Sequence, residues 1–236
     1  MKREPDDVST RLNLIRDRIA AAAARSGRAP DAVTLIGVVK TVAADQVRAA
    51  IAAGLTDVGE NRVQEAERAI SGLGDPGVRW HLIGHLQGNK SGRAVAGFDR
   101  IHTLDSLALA LALSRHAAER GRVLPVLVQV NVSGEASKYG VPPSALSQLL
   151  EQVRGCPGLR VDGLMSIGTP VARAEDARAE FVRLRLLRDA AECALGAPLP
   201  QLSMGMSDNF EVAVEEGSTF VRIGSALFGA RDPLHG

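Results

Sequence analysis

Lys40 ends an apolar run that begins at Thr34 and passes through Leu35, Ile36, Gly37, Val38 and Val39. An ammonium resists burial unless it is paired or neutralised. An amine that sheds its proton becomes a nucleophile, the form a Schiff base requires. A stem packed on apolar surface with its head in water accounts for the same lysine, so the run alone assigns it no role. Two later clusters bear on the choice. Gly205-Met206-Ser207 and Gly224-Ser225 each join glycine, which lets backbone N–H groups come close, to a hydroxyl donor. That combination suits a phosphate. It also suits ordinary turns and caps, and two such clusters on neighbouring elements favour the anion.

Other polar residues stand at similar places. Arg222 lies near the end of an apolar strand, either in a structural ion pair or facing a ligand. Asn61 is a ligand contact, a helix cap or both. His81, in mid-strand beside Trp80, reads as a hydrogen-bonded core histidine, whereas His85 and His102 are open to either role. Two motifs are decoys. Gly72-Leu73-Gly74-Asp75-Pro76-Gly77 satisfies G-x-G-x-x-G, but it follows a helix and precedes a strand, the reverse of the dinucleotide context. Gly205-Met206-Ser207-Asp208-Asn209 lacks the closing glycine of a nucleophile elbow.

These residues need a scaffold, and the periodicities supply one. Residues 6–26 read as a helix with Val8, Leu12, Ile15, Ile19 and Ala22 on one face. Strands follow at 34–40, 57–60, 79–84, 100–104, 125–131, 160–167, 201–204 and 219–223. Each leads into a helix: 43–53, 61–70, one starting near 89, 106–119, 143–154, 177–191, 209–215 and a last turn after Gly224. Eight βα units in 236 residues imply an α/β fold, a single (β/α)8 TIM barrel with an extra N-terminal helix. An open doubly wound sheet is the competing architecture. No linker or composition shift splits the chain, so residues 1–236 are expected to form one domain. In such a barrel chemistry sits where the strands end. The rim then holds Lys40, Glu60-Asn61, His85, His102 to Asp105, Asn131 to Ser133, Met165-Ser166, Gly205 to Asp208, and Arg222 to Ser225. The loops after strands seven and eight are the recurrent phosphate site of this fold.

Composition narrows the function classes. With 45% hydrophobic and 23% charged residues the chain reads as globular. Its formal net charge of +1 gives no electrostatic reason to expect nucleic acid or a membrane surface. The polar start, without an apolar core behind it, and the lack of a long apolar stretch lead us to expect a cytoplasmic protein. Cys156 and Cys193 show no metal-ligand spacing, and both are expected to be buried thiols.

The chain resembles the pyridoxal phosphate homeostasis family, whose members have an alanine-racemase-like barrel and no second domain. The resemblance rests on Val38 to Thr41, Gly59-Glu60-Asn61-Arg62-Val63-Gln64-Glu65, Trp80 to Lys90, Gln129 to Gly140 and Gly163-Leu164-Met165. It is strongest in Leu202 to Asp208 and Gly217 to Gly229, and it spans nearly everything from Leu12. It implies that Lys40 holds pyridoxal 5'-phosphate (PLP) as an internal aldimine. By the same resemblance Ser207, Gly224 and Ser225 hold the phosphate, Arg222 lies near the pyridine nitrogen, and Asn61 lines the site. Val39 stands where the family often has serine, and Ser225 where threonine is common; the hydroxyl is kept.

An arginine beside the ring nitrogen disfavours its protonation and weakens the ring as an electron sink, although related racemases use one. Racemases of this barrel type also take a tyrosine from a second domain of the partner subunit, and here Tyr139 is the only tyrosine. The expected function is therefore PLP binding, vitamin B6 homeostasis and delivery to apo-enzymes by a monomer, without a catalytic residue or a metal. Lys138 is a candidate for transimination during release, or a solvated loop charge. A PLP-dependent amino-acid racemase is the alternative. A Schiff-base aldolase acting on sugar phosphates, with Lys40 attacking the substrate, is a third reading.

Overall fold

The structure, a computed structural model, describes residues 7–74, 77–135 and 137–229. Eight parallel strands pair in chain order and the last returns to the first, closing the barrel. They are β1 (Thr34–Val38), β2 (Asp57–Glu60), β3 (Arg79–Leu82), β4 (Arg100–Leu104), β5 (Leu124–Gln129), β6 (Leu159–Met165), β7 (Gln201–Met206) and β8 (Phe220–Ile223). Before β1 comes the helix α1 (Val8–Arg25). After the strands come α2 (Ala44–Ala52), α3 (Val63–Leu73), α4 (Ser91–Gly97) and α5 (Leu107–Glu119), then α6 (Leu146–Arg154), α7 (Arg178–Leu195), α8 (Phe210–Glu215) and α9 (Ser225–Phe228). The expected (β/α)8 barrel with its additional N-terminal helix is what forms, and the open sheet is excluded by the β1–β8 pairing.

Two sets of apolar residues build it. Ile36, Leu127, Met165 and Phe220 form a small buried cluster of their own. They come from β1, β5, β6 and β8, and strands on opposite sides of a closed barrel meet only across its interior. The larger core lies between strands and helices, with Val58, Leu82, Val128, Leu164 and Val221 facing outward. In β1 this alternation puts Ile36 and Val38 on the interior side. The stripe Val8, Leu12, Ile15, Ile19 and Ala22 of α1 is buried, and α1 lies against α8, α9 and α2.

Strand ends are the main departure from expectation. β1 stops at Val38, so Lys40 lies two residues beyond it rather than in its last position. Val39 N–H still reaches Gly59 O at 3.0 Å, and then Val42 N–H turns back to Val39 O. β3, β5 and β6 likewise end two residues early, at Leu82, Gln129 and Met165, while β7 runs on to Met206. Helix α6 is entered through a 3-10 turn at Pro143–Ala145. The expected first helical residue, Asp6, and the loop residues Asp75 and Pro76 lie outside the described residues. Cys156 is buried as expected, but Cys193 is exposed on α7.

Glu60, the last residue of β2, is only 3% exposed, and its Oε2 accepts the N–H of Asn61 at 2.8 Å. Burial pushes its carboxyl up to about 7; the Asn61 N–H opposes the shift and the Glu65 charge adds to it. The folded protein thus keeps this proton up to about pH 7, whereas the unfolded chain releases it near the ordinary glutamate value of 4.5. Between those values the unfolded state binds fewer protons, so this group makes stability fall as pH rises. Relative to wild type, Glu60→Gln is expected to gain stability across that window, by at most about 3 kcal/mol above neutrality. Urea melts from pH 4.5 to 8 check the sign. Leu127→Ala, which empties part of the interior cluster, is expected to cost about 2–5 kcal/mol in the same melts.

Candidate functional site at the C-terminal rim

The six residues singled out sit at or just after the C-terminal ends of four consecutive strands. In barrel order β7 leads to Ser207, β8 carries Arg222 and leads to Gly224-Ser225, β1 leads to Lys40, and β2 leads to Asn61. Ladder register supports the placement. Ile36 pairs with Arg222 and Gly37 with Ile223 across the closing seam, while Val38 pairs with Gly59 on the other side.

The two glycine–serine turns are joined directly. The N–H groups of Gly224 and Ala226 both donate to Ser207 Oγ, at 3.3 and 3.2 Å. A Cβ on Gly224 would come 3.6 Å from Val38 Cβ, which places this turn against the end of β1. The first turn is shaped by Gly205, whose φ of 92° is a left-handed value, and a Cβ there would lie 2.5 Å from that of Ala213. Asn209 Oδ1 accepts the Met206 N–H at 2.8 Å and holds the loop below Ser207. Ser207 and Gly224 are half-buried and Ser225 is exposed.

Lys40 is half-buried, two residues past the interior-facing Val38 that ends β1. Thr41, next to it, is the one non-glycine residue with positive φ among those described, at 61°. A β-branched residue there costs on the order of 1–3 kcal/mol, and its Oγ1 donates to Lys40 O at 2.6 Å. Asn61 is held by its neighbours. Gly84, after β3, passes so close that a Cβ on it would lie 2.3 Å from Asn61 O.

Arg222 is 5% exposed. Its Nη1 donates to Ser203 Oγ at 2.7 Å and its Nη2 to Ser166 O at 2.9 Å. Burial brings its pKa down to about 10, so it is still a cation at neutral pH. Among the described residues no carboxylate pairs with it. Two buried polar atoms lack a hydrogen-bond partner among those residues: Ser166 Oγ, on the residue whose carbonyl accepts from Arg222, and Gln129 Oε1 at the end of β5. Buried polar atoms are rarely left unpaired. Ser166 Oγ, on a residue bonded to the buried cation, marks a place suited to a polar ligand.

The histidines separate clearly. His81 and His102 are both buried and hydrogen-bonded to each other at 2.9 Å, which settles His102 as a residue inside the barrel. His85 is at the rim, 3.4 Å from Asp105, and stacks on Tyr139 with ring centroids 3.8 Å apart. Lys138 donates to Thr169 Oγ1 at 2.8 Å and pairs with Glu135. Sequence reasoning gave no role to Ser203, Ser166 or Gln129. Only barrel closure puts Ser203 and Ser166 next to Arg222, and a serine inside an apolar strand carries no local signal of that.

A cleft of about 460 Å3 opens at the opposite end of the barrel, between α1 and the starts of β1 to β3, where Arg16, Asp17, Asp31 and Arg79 line it. No strand ends there, and none of the six residues reaches it.

Comparison with known proteins agrees with this geometry. Residues 11–232 match the family described as the alanine racemase N-terminal domain. A pyridoxal phosphate homeostasis protein of Pseudomonas aeruginosa is 48% identical over 91% of this chain and 92% of its own length. Its counterpart in Escherichia coli K12 is 41% identical over 96% and 98%. PipY of Synechococcus elongatus, solved with PLP bound, superposes with a TM-score of 0.79 at 39% identity, over 91% of this chain and all of that one. Alanine racemase of Clostridium difficile shares the fold alone, with a TM-score of 0.73 at 14% identity over 57% of its length. By the extent of these matches the chain belongs to the pyridoxal phosphate homeostasis protein family, within the alanine racemase N-terminal fold.

Proposed function

We propose that this protein binds PLP at the rim between β7 and β2 and serves as its carrier, holding the reactive aldehyde and handing it to apo-enzymes. The observation that carries the reading is the coupling of the two turns: Ser207, at the end of β7, is hydrogen-bonded to Gly224 and Ala226 after β8, and Gly224 rests against Val38, two residues before Lys40. A phosphate grip and an amine are thereby built on neighbouring strands. The names of the relatives and PLP in the PipY structure support it.

Bound there, PLP supplies an aldehyde that an amine can capture, with a phosphate and a basic ring nitrogen on the same small ring. Lys40 would be the covalent tether. Ser207, Gly224 and Ser225 would hold the phosphate, with the two hydroxyls as donors. Asn61 would line the ring on the β2 side. Arg222, cationic and buried, would face the ring nitrogen and disfavour its protonation. The unpartnered Ser166 Oγ, on the residue whose carbonyl accepts from Arg222, fits a polar ligand in this position.

The same residues argue for carrying rather than turnover. An unprotonated ring nitrogen is a poor electron sink. The tyrosine on which a second proton-transfer step would have to rely, Tyr139, is 58% exposed and stacked on His85. The protein acts as a single-barrel monomer in the cytoplasm, where apo-enzymes needing the cofactor are made. Among the described residues no helix is long and apolar enough to cross a membrane.

Two experiments test this. Addition of PLP to purified protein is expected to produce a near-visible absorption band that Lys40→Ala loses, with at least tenfold weaker binding; an unchanged band in the variant overturns the assignment of Lys40. The loaded protein is expected to racemise L-alanine no faster than free PLP does. Robust turnover would sink the carrier reading.

A further inference from the structure

Five strands contribute to a line of polar side chains through the barrel. Arg222 Nη1 meets Ser203 Oγ at 2.7 Å, Ser203 Oγ meets His102 Nδ1 at 2.9 Å, and His102 Nε2 meets His81 Nδ1 at 2.9 Å. His81 Nε2 then meets Asp57 Oδ1 at 2.9 Å. Asp57, at the start of β2, also accepts Thr56 Oγ1 and both arms of Arg79 at the N-terminal face. None of the five is more than 5% exposed. Phe220 lies across the imidazoles, its ring centroid 5.7 Å from that of His81 and 5.2 Å from that of His102.

Chemistry gives this line one direction. Desolvation alone would raise the Asp57 carboxyl, but hydrogen bonds from His81, Arg79 and Thr56 outweigh it and hold the group well below the usual range. It is therefore ionised and can only accept, so His81 Nε2 carries a proton. Desolvation lowers the pKa of both histidines, His102 most strongly; at His81 the Asp57 carboxylate opposes it without overcoming it, and the neighbouring positive groups add to it, so both rings are neutral near pH 7. A neutral imidazole has one N–H. His81 Nδ1 must then accept from His102 Nε2–H, His102 Nδ1 must accept from the Ser203 hydroxyl, and Ser203 Oγ accepts from Arg222. Every N–H and O–H points away from the arginine and towards the carboxylate. The dipoles thus present their negative ends to the cation and their positive ends to the anion, and aligned hydrogen bonds of this kind reinforce one another in a low-dielectric interior.

We propose that Ser203, His102, His81 and Asp57 are positioning residues for Arg222: a one-way hydrogen-bond line, anchored at the opposite face of the barrel, that holds the guanidinium in place as a donor to the cofactor's ring nitrogen. This rests on the PLP-binding reading above. The line does what a carboxylate partner would otherwise do for a buried arginine, and no neighbouring anion offsets the charge that the ring nitrogen meets. Ser203 is the weakest point, because its single hydroxyl both accepts from Arg222 and donates to His102.

The test has two arms. Nitrogen-15 NMR of the cofactor-free protein reads the tautomers: His81 and His102 are expected as neutral Nε2–H imidazoles from about pH 6 to 8, and the His102 signal should change in Ser203→Ala. A charged imidazole or an Nδ1–H form at either position in the wild type overturns the proposal without any variant. With PLP added, Ser203→Ala is expected to bind about tenfold more weakly. Its ratio of near-visible to near-ultraviolet absorption should also shift, and Ser203→Thr should restore it. The same readout on His102→Gln covers a Ser203→Ala that does not fold. Wild-type affinity and ratio in a folded variant overturn the line alone. A wild-type protein that takes up no PLP overturns the cofactor reading and this one together, whatever its tautomers.

Discussion

Thr34 and Leu35 pair in register with Phe220 and Val221, and Thr34 N–H adds a bond to Thr219 O at 2.8 Å. This seam joins the first strand to the last, and the candidate site straddles it. Lys40 and Ser207 are far apart in the chain, and so are Asn61 and Arg222; closure alone brings their four strands into one arc of the barrel. The N-terminal helix secures the seam from outside. Arg11 donates to Leu227 O, Arg28 to Val214 O and Ser218 O, while Arg18 and Arg25 pair with Glu211 and Glu215 on α8. The exposed ion pairs add little each. The buried apolar stripe of α1 does most of the holding.

Inside the seam the main electrostatic problem is a buried arginine. A charge removed from water is tolerated only when it is paired or richly hydrogen-bonded. For Arg222 the barrel supplies a serine hydroxyl and a carbonyl nearby, and a carboxylate only at the far end of a line of neutral dipoles. That arrangement keeps the guanidinium cationic while leaving its positive field undiminished where a ligand would sit. It also places the only tyrosine, Tyr139, outside this interior network, stacked on His85 at the rim.

Much of the fold was legible because each βα unit announces itself. Apolar runs with β-branched residues give way to helical periodicity eight times; where the runs end marks a rim, and the family resemblance picks six residues out of it. The exact ends were not legible. Lys40 reads as the last residue of a strand because Val38 and Val39 are both apolar, yet the ladder stops at Val38 and the chain turns through a left-handed Thr41. Cys193 was expected to be buried, but it falls on an exposed face of α7. The interior polar line was invisible for a different reason. Ser203 and His102 are 101 residues apart, and no local pattern tells a serine that meets a histidine across a barrel from one that caps a turn. His81 was read correctly as a hydrogen-bonded core histidine, though its partners lie on other strands.

On the proposed function, one amine of this chain captures PLP beside the closing seam. The chain has four lysines, Lys2, Lys40, Lys90 and Lys138, so the claim can be tested residue by residue. Borohydride reduction of the PLP-loaded protein makes the linkage permanent, and peptide mass spectrometry then locates it. A phosphopyridoxyl group is expected on the peptide containing Lys40 at one equivalent of PLP, with the other lysines unmodified. Modification centred on Lys90 or Lys138, or spread evenly over all four, would contradict it.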